Sequence, residues 1–166
     1  MSRTSITAVT LAALMAAGGV ASADLSRGVI ANYRGQLVIT KDELPEGKTD
    51  RDTISKINAV RLKSLEGAKN DDVVFWHFHY TAFLSKTGSS TLKLEFLKED
   101  GKTLAADQRL EGVDTKSSVL TGDISINEDE GLAAGKTYTV QLLTANNAVV
   151  AKATLQMVGG GGGGKK

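Results

Sequence analysis

The segment Val73-Val74-Phe75-Trp76-His77-Phe78-His79-Tyr80-Thr81-Ala82-Phe83-Leu84 decides the fold. Read with a period of two, it places Val74, Trp76, Phe78, Tyr80, Ala82 and Leu84 on one face and Phe75, His77, His79, Thr81 and Phe83 on the other. Aromatic and β-branched side chains suit a pleated surface, and neither glycine nor proline interrupts the run, so it reads as a long central strand. Most of the chain's aromatic residues, one Trp, three Tyr and four Phe in all, lie here. Each buried ring contributes about 2 kcal/mol or more in transfer terms, which makes this strand the expected centre of the core.

Working outward, Thr91 to Lys98 and Thr103 to Leu110 flank Glu99-Asp100-Gly101-Lys102, a hairpin whose glycine tolerates positive φ. Ser118 to Ile126 alternates through Leu120, Ile124 and Ile126 and runs into the acidic turn Asn127-Glu128-Asp129-Glu130-Gly131. A second hairpin joins Thr137 to Leu143 with Ala148 to Met157 around Ala145-Asn146-Asn147, because asparagine enters left-handed geometry readily. Upstream, Val29 to Thr40 is strand-like, and Lys41 to Asp52, which holds the single proline Pro45, reads as a loop. From there two readings compete: a helix capped by Asp50 or Asp52 and running through Ile54, Ile57 and Arg61, or a strand in which Val60 and Leu62 alternate; the expectation is a short helical turn over Asp52 to Ser55 followed by a strand within Asn58 to Leu65.

The chain has 166 residues, no cysteine, 41% hydrophobic and 23% charged residues, enough for one domain with a core. Lack of cysteine excludes a disulfide scaffold, thiol nucleophiles and thiolate metal sites. Residues 1–23 carry Arg3, an apolar stretch from Ile6 to Val20 and the small-residue sequence Ala21-Ser22-Ala23, the pattern of a secretory signal peptide cut after Ala23. That apolar stretch falls short of the roughly 20 residues a membrane span needs, and no later segment is apolar enough, so no membrane span is expected. The expected location is therefore periplasmic or extracellular, and a cysteine-free exported chain suits a bacterial envelope. Lys plus Arg number 20 against 19 Asp plus Glu, and removing Arg3 with the leader evens the balance. Such a surface lacks the basic footprint of a nucleic-acid partner. Gly159 to Gly164 followed by Lys165 and Lys166 reads as a flexible tail over 159–166.

The short strands, turns about every ten residues and absence of a βαβ rhythm predict an all-β domain over 24–158, an antiparallel β-sandwich of about 7–9 strands. Alternation alone leaves a barrel or jelly roll open. Leu132, Gly135, Tyr138, Val140 and Leu142 follow a spacing that resembles the turn and penultimate strand of fibronectin type III and related immunoglobulin-like domains. The resemblance covers Leu132 to Met157. It implies an immunoglobulin-like sandwich in which Tyr138 forms a corner bonded back across its turn, Trp76 is the tryptophan buried between the sheets, and Ala148 to Met157 closes the fold. The chain departs from that family in its extra segment before Val60 and its greater length.

His77 and His79 lie on one side of the strand, so two imidazoles could chelate Zn or Cu. They are the only histidines, and a third ligand has to come from a carboxylate such as Asp71 or Asp72. Asn127 to Glu130, with Asp123 nearby, offers oxygen to Ca²⁺ but lacks the spacing of a calcium loop. No Gly-x-Ser-x-Gly elbow, His-Glu-x-x-His stretch or phosphate-cradling glycine loop occurs, so no enzyme activity and no resident cofactor are expected. The function expected is recognition: an exported binding or structural module whose edge strands and loops, chiefly Lys41 to Asp52 and Asn127 to Gly131, contact an envelope protein, a polysaccharide or another copy of itself. A metal-binding protein using His77 and His79, or a surface-fibre subunit assembled by strand addition, are the alternatives.

Overall fold

A computed structural model describes residues 25–160 except Asp71 and Thr87. The expected leader, 1–23, and most of the expected tail, 161–166, lie outside the described residues. The chain is mostly β. Nine strands, β1 (Leu37–Thr40), β2 (Ser64–Glu66), β3 (Ala68–Asn70), β4 (Val73–Phe83), β5 (Thr91–Leu97), β6 (Leu104–Glu111), β7 (Val119–Asn127), β8 (Thr137–Thr144) and β9 (Val149–Val158), are accompanied by helices α1 (Arg27–Tyr33) and α2 (Asp50–Val60).

The strands form two sheets, with no closed barrel among the described residues. In the first sheet β4 is central: β7 runs along one edge through nine antiparallel pairs, Phe75–Asn127 to Phe83–Val119, while β1 and β3 share the other edge end to end. The second sheet has the order β2-β9-β8-β5-β6 and is antiparallel except for β2 beside β9. Both foreseen hairpins are present, with Gly101 at φ 65° and Asn147 at φ 59° in their turns.

The two sheets share one core. Trp76, Phe78 and Leu37 of the first sheet cluster with Leu94, Phe96, Val140, Leu142 and Leu155 of the second. Trp76 is fully buried, and its indole N–H donates to the Val158 carbonyl at 2.9 Å, joining the centre of β4 to the end of β9. The Phe78 and Phe96 rings meet edge to face with centroids 6.4 Å apart, an arrangement that suits their quadrupoles.

The segment before Val60 departs from the sequence expectation. Val29 to Thr40 does not form one strand: Arg27–Tyr33 is helical, and only Leu37–Thr40 is extended. The Ser26 hydroxyl accepts the Val29 N–H and caps α1, while Val29 and Tyr33, four residues apart, bury one helical face. The helical turn expected over Asp52 to Ser55 is a full helix, capped by the Thr49 hydroxyl accepting from Asp52 N–H. Asp50 and Asp52 sit in its first turn, where negative charge favours the dipole, and do not serve as the cap. The strand expected within Asn58 to Leu65 is confined to Ser64–Glu66; Val60 ends α2 and is exposed, so its alternation with Leu62 was not that of a strand.

These helices also cover part of the Phe75-His77-His79-Thr81-Phe83 face of β4. Phe83 packs with Val29, Tyr33, Val38 and Ile57 in a separate cluster at the C-terminal end of the outer face of β4. His79 and Thr81 are buried there too, whereas His77 is exposed. The Tyr33 and Phe83 rings lie 5.1 Å apart, and the Tyr33 hydroxyl donates to Asn58 Oδ1 at 2.8 Å, tying α1 to α2.

Candidate functional site

The two histidines leave β4 on the same side, as the alternation requires, but meet different surroundings. His79 stands opposite Asp123 of β7 and Thr40 of β1, and His77 stands opposite Ser125. His79 Nδ1 lies 3.1 Å from Asp123 Oδ1. An ionised carboxylate can only accept, so Nδ1 carries the proton and donates it. The nitrogen facing Asp123 is thereby committed to a hydrogen bond. Asp72 is paired with Lys69 at 3.8 Å, and Asp71 falls outside the described residues. No group of three His, Asp or Glu side chains able to hold a metal ion occurs among the described residues.

The acidic turn is occupied with its own backbone. Residues Glu128–Glu130 form one 3₁₀ turn closed by reciprocal caps: Asn127 Oδ1 accepts Asp129 N–H at 2.9 Å, and Glu130 Oε2 accepts Asn127 N–H at 2.8 Å. Gly131 ends it at φ 105°, where an added Cβ would strike the Ala105 carbonyl. The other expected contact loop ends at Thr49 rather than Asp52 and is fastened to α2. Asp52 Oδ2 accepts Lys48 N–H at 2.9 Å and pairs with Lys56 at 3.1 Å, and these contacts hold the Asp52 carboxyl below its ordinary pKa.

Beside the acidic turn is an open depression of about 350 Å³ lined by Lys98, Asp100, Gly131, Lys136 and Tyr138. Two of its polar side chains, Asp100 and Tyr138, are engaged within the chain. Asp100 accepts from the Thr103 hydroxyl and from the Thr103 and Lys102 N–H groups, which lower its pKa to about 2. The Tyr138 hydroxyl accepts Ala133 N–H at 2.9 Å, a bond back across the turn before β8.

Strand β7 has a free edge, since it pairs with β4 alone among the described residues. Phe83 N–H donates to Gln36 and the Phe83 carbonyl accepts from Gly35, so Phe83 turns its backbone away from β7; Leu84 N–H donates to Ser118. In an antiparallel ladder this alternation continues, and Leu120, Gly122, Ile124 and Ile126 exchange bonds with β4 while the residues between them point outward. The Ser117 hydroxyl bonds both N–H and C=O of Val119 at one end, and Glu130 takes the N–H of Asn127 at the other. The backbone groups of Thr121, Asp123 and Ser125 remain, with no partner among the described residues.

An exposed edge is ordinarily blunted by charge, proline or a bulge. The outer edge of the second sheet, β6, has Asp107, Arg109 and Glu111 within eight residues and a register shift opposite Phe96 and Leu97. Strand β7 has no proline, an unbroken register and Asp123 as its single ionisable residue. Edge strands in general were expected to carry contacts, with none singled out. The missing signal was the polarity difference between these two segments, which is legible once both are known to be outermost.

No family model matches the chain, and no curated protein does. Among solved structures, a β-glucosidase from Kluyveromyces marxianus aligns over 57% of this chain at 15% identity with a TM-score of 0.27. The match spans 14% of that enzyme's chain, and a superposition this loose carries no argument about fold or activity.

Proposed function

We propose that the chain is an exported, non-catalytic binding module of immunoglobulin-like sandwich architecture, and that it meets its partner by strand addition at β7. The architecture is supported by the division of strands, with β1/β3, β4 and β7 on one side and β6, β5, β8 and β9 on the other, as in a sandwich of that type, and β2 added beside β9. The Tyr138 bond to Ala133 N–H, at the second residue of β8, is of the kind the resemblance implies for a corner and supports that reading. The recognition role is carried by one observation: β7 pairs with β4 alone, so the outward N–H and C=O groups of Thr121, Asp123 and Ser125 have no partner among the described residues, on a strand with no proline, no bulge and a single ionisable residue.

The partner is an envelope protein or a further copy of this chain, and serial addition at the same edge would make a surface fibre. Metal handling by His77 and His79 has less support, because His79 Nδ1 is held by Asp123. A photo-crosslinking amino acid placed at Ser125, and in parallel at Arg109 on β6, tests the reading in cells. Adducts of defined mass at Ser125 and none at Arg109 are expected, and Thr121→Pro should remove them. Equal labelling at both sites, or none at either, overturns the reading.

A further inference from the structure

Tyr80 is 3% exposed and stands opposite Gly122, on the face of β7 turned toward the core. A Cβ built on Gly122 would lie 2.8 Å from the Tyr80 hydroxyl oxygen, so the phenol lies across the space that a side chain on β7 would fill. The absence of that side chain carries the hydroxyl out to the free edge. It makes no hydrogen bond to another described residue, and it is not among the fully enclosed unpartnered polar atoms, so the oxygen keeps some contact with solvent. On the opposite face of the same strand the Asp123 side chain is 63% exposed, and His79, which approaches it from β4, leaves that much of it open. The edge therefore presents three kinds of recognition at adjacent positions: outward backbone at Thr121, Asp123 and Ser125, an anion at Asp123, and a hydroxyl over Gly122.

Resting on the strand-addition reading, we infer that the β7 edge takes an extended, antiparallel peptide segment of a partner protein with a Lys or Arg opposite Asp123 and, next after it, a Ser, Thr or Asn opposite Gly122. Antiparallel pairing continues the pattern of the first sheet and is the more stable per residue. The residue opposite Asp123 shares its face at close range, where opposite charges attract and a second carboxylate is repelled. The next residue turns to the core-side face, where its polar group reaches the Tyr80 hydroxyl. A second copy of the chain paired symmetrically about Asp123 would set two carboxylates face to face, and this disfavours self-pairing in that register.

The probe is the acetylated, amidated heptapeptide Ser-Thr-Val-Lys-Thr-Thr-Ser, titrated by calorimetry into the full chain. Replacing its Lys by Glu should weaken binding by about tenfold, the loss of one charge-assisted pair together with a repulsion. Asp123→Lys should reverse that preference. Tyr80→Phe should weaken the peptide about threefold while leaving unchanged a version with Val after the Lys. Thr121→Pro removes an outward N–H without touching the bonds to β4 and should abolish binding of every version. Circular dichroism confirms that each variant folds, and the peptide substitutions test the same contacts in the unaltered protein.

Equal affinity for the Lys and Glu peptides, or binding indifferent to Thr121→Pro, overturns the assignment. Failure of every peptide, combined with a concentration-dependent dimer in sedimentation that Thr121→Pro dissociates, assigns the edge to a second copy and overturns the basic-segment proposal alone. Peptide failure with crosslinks retained at Ser125 likewise leaves strand addition standing. Failure of both removes the two readings together.

Discussion

The two faces of β4 are made of similar side chains and are buried by different means. The inner face, Val74, Trp76, Phe78, Tyr80 and Ala82, is covered by an opposing sheet whose strands bring Leu94, Phe96, Val140 and Leu142 against it. The outer face is covered in part by two short helices, through Val29, Tyr33 and Ile57 on Phe83, and is otherwise open at His77. Long-range strand pairing builds the first cover. The second depends on one stretch of chain before Val60, held by the Ser26 and Thr49 caps and by the Tyr33 bond to Asn58. A face sealed by a sheet should fail with the whole domain, while one sealed by short helices can open by itself.

Trp76→Ala is the largest break in this comparison. It empties a fully buried site in the shared core and removes the indole hydrogen bond to the Val158 carbonyl, which keeps its bond from Gly67 N–H, and should cost about 3–5 kcal/mol in urea unfolding. Ile57→Ala acts on the outer cluster and should cost about 2–4 kcal/mol. The two variants differ in character as well as size: by hydrogen exchange, Ile57→Ala should speed opening of α1 and α2 while β4 and β8 keep their protection, whereas Trp76→Ala should speed both regions together. Uniform acceleration in the Ile57 variant would show that the helices and sheets form one cooperative unit.

Thr81→Val is smaller and of opposite sign. Thr81 is fully buried on the outer face, and its hydroxyl has no partner among the described residues. Replacing the hydroxyl by a methyl of similar shape removes an unpaired polar group and should stabilise the protein by about 1 kcal/mol. A loss of stability on the same measurement would mean that the hydroxyl is engaged after all.

The inner face was readable from the sequence because its period was uninterrupted and its aromatic content high. The turns at Gly101 and Asn147 were readable because those residues satisfy positive φ. The outer face was not, since Thr81 and Phe83 have the same period whether water or a helix lies over them. Helix α1 was missed because Val29 and Tyr33 are separated by four residues in a seven-residue helix, too short for a full apolar stripe to distinguish itself from alternation. Of the candidate site, the sequence placed His77 and His79 on one side of β4, but partners from a distant strand are invisible without register. Pairing β4 with β7 put Asp123 beside His79 and Gly122 beneath Tyr80.

Tyr80 gives the finest test of the two faces, since its ring belongs to the inner core and its hydroxyl emerges at the edge. Burial, and then the nearby Asp123 charge, push its pKa from 10.0 up to about 12. A folded-state pKa above the unfolded one favours the protonated form in the native protein. The associated stability is complete below about pH 10 and is lost as pH rises toward 12. Urea midpoints measured across that interval should fall more steeply for the parent chain than for Tyr80→Phe, which has no proton to lose. Asp123→Asn removes the smaller of the two causes: the loss should still begin near pH 10, where the unfolded phenol ionises, but should end at lower pH and be smaller in total, by less than the part that burial contributes. Parallel alkaline curves for the parent and Tyr80→Phe would place the hydroxyl in water and remove the link between the core face and the edge.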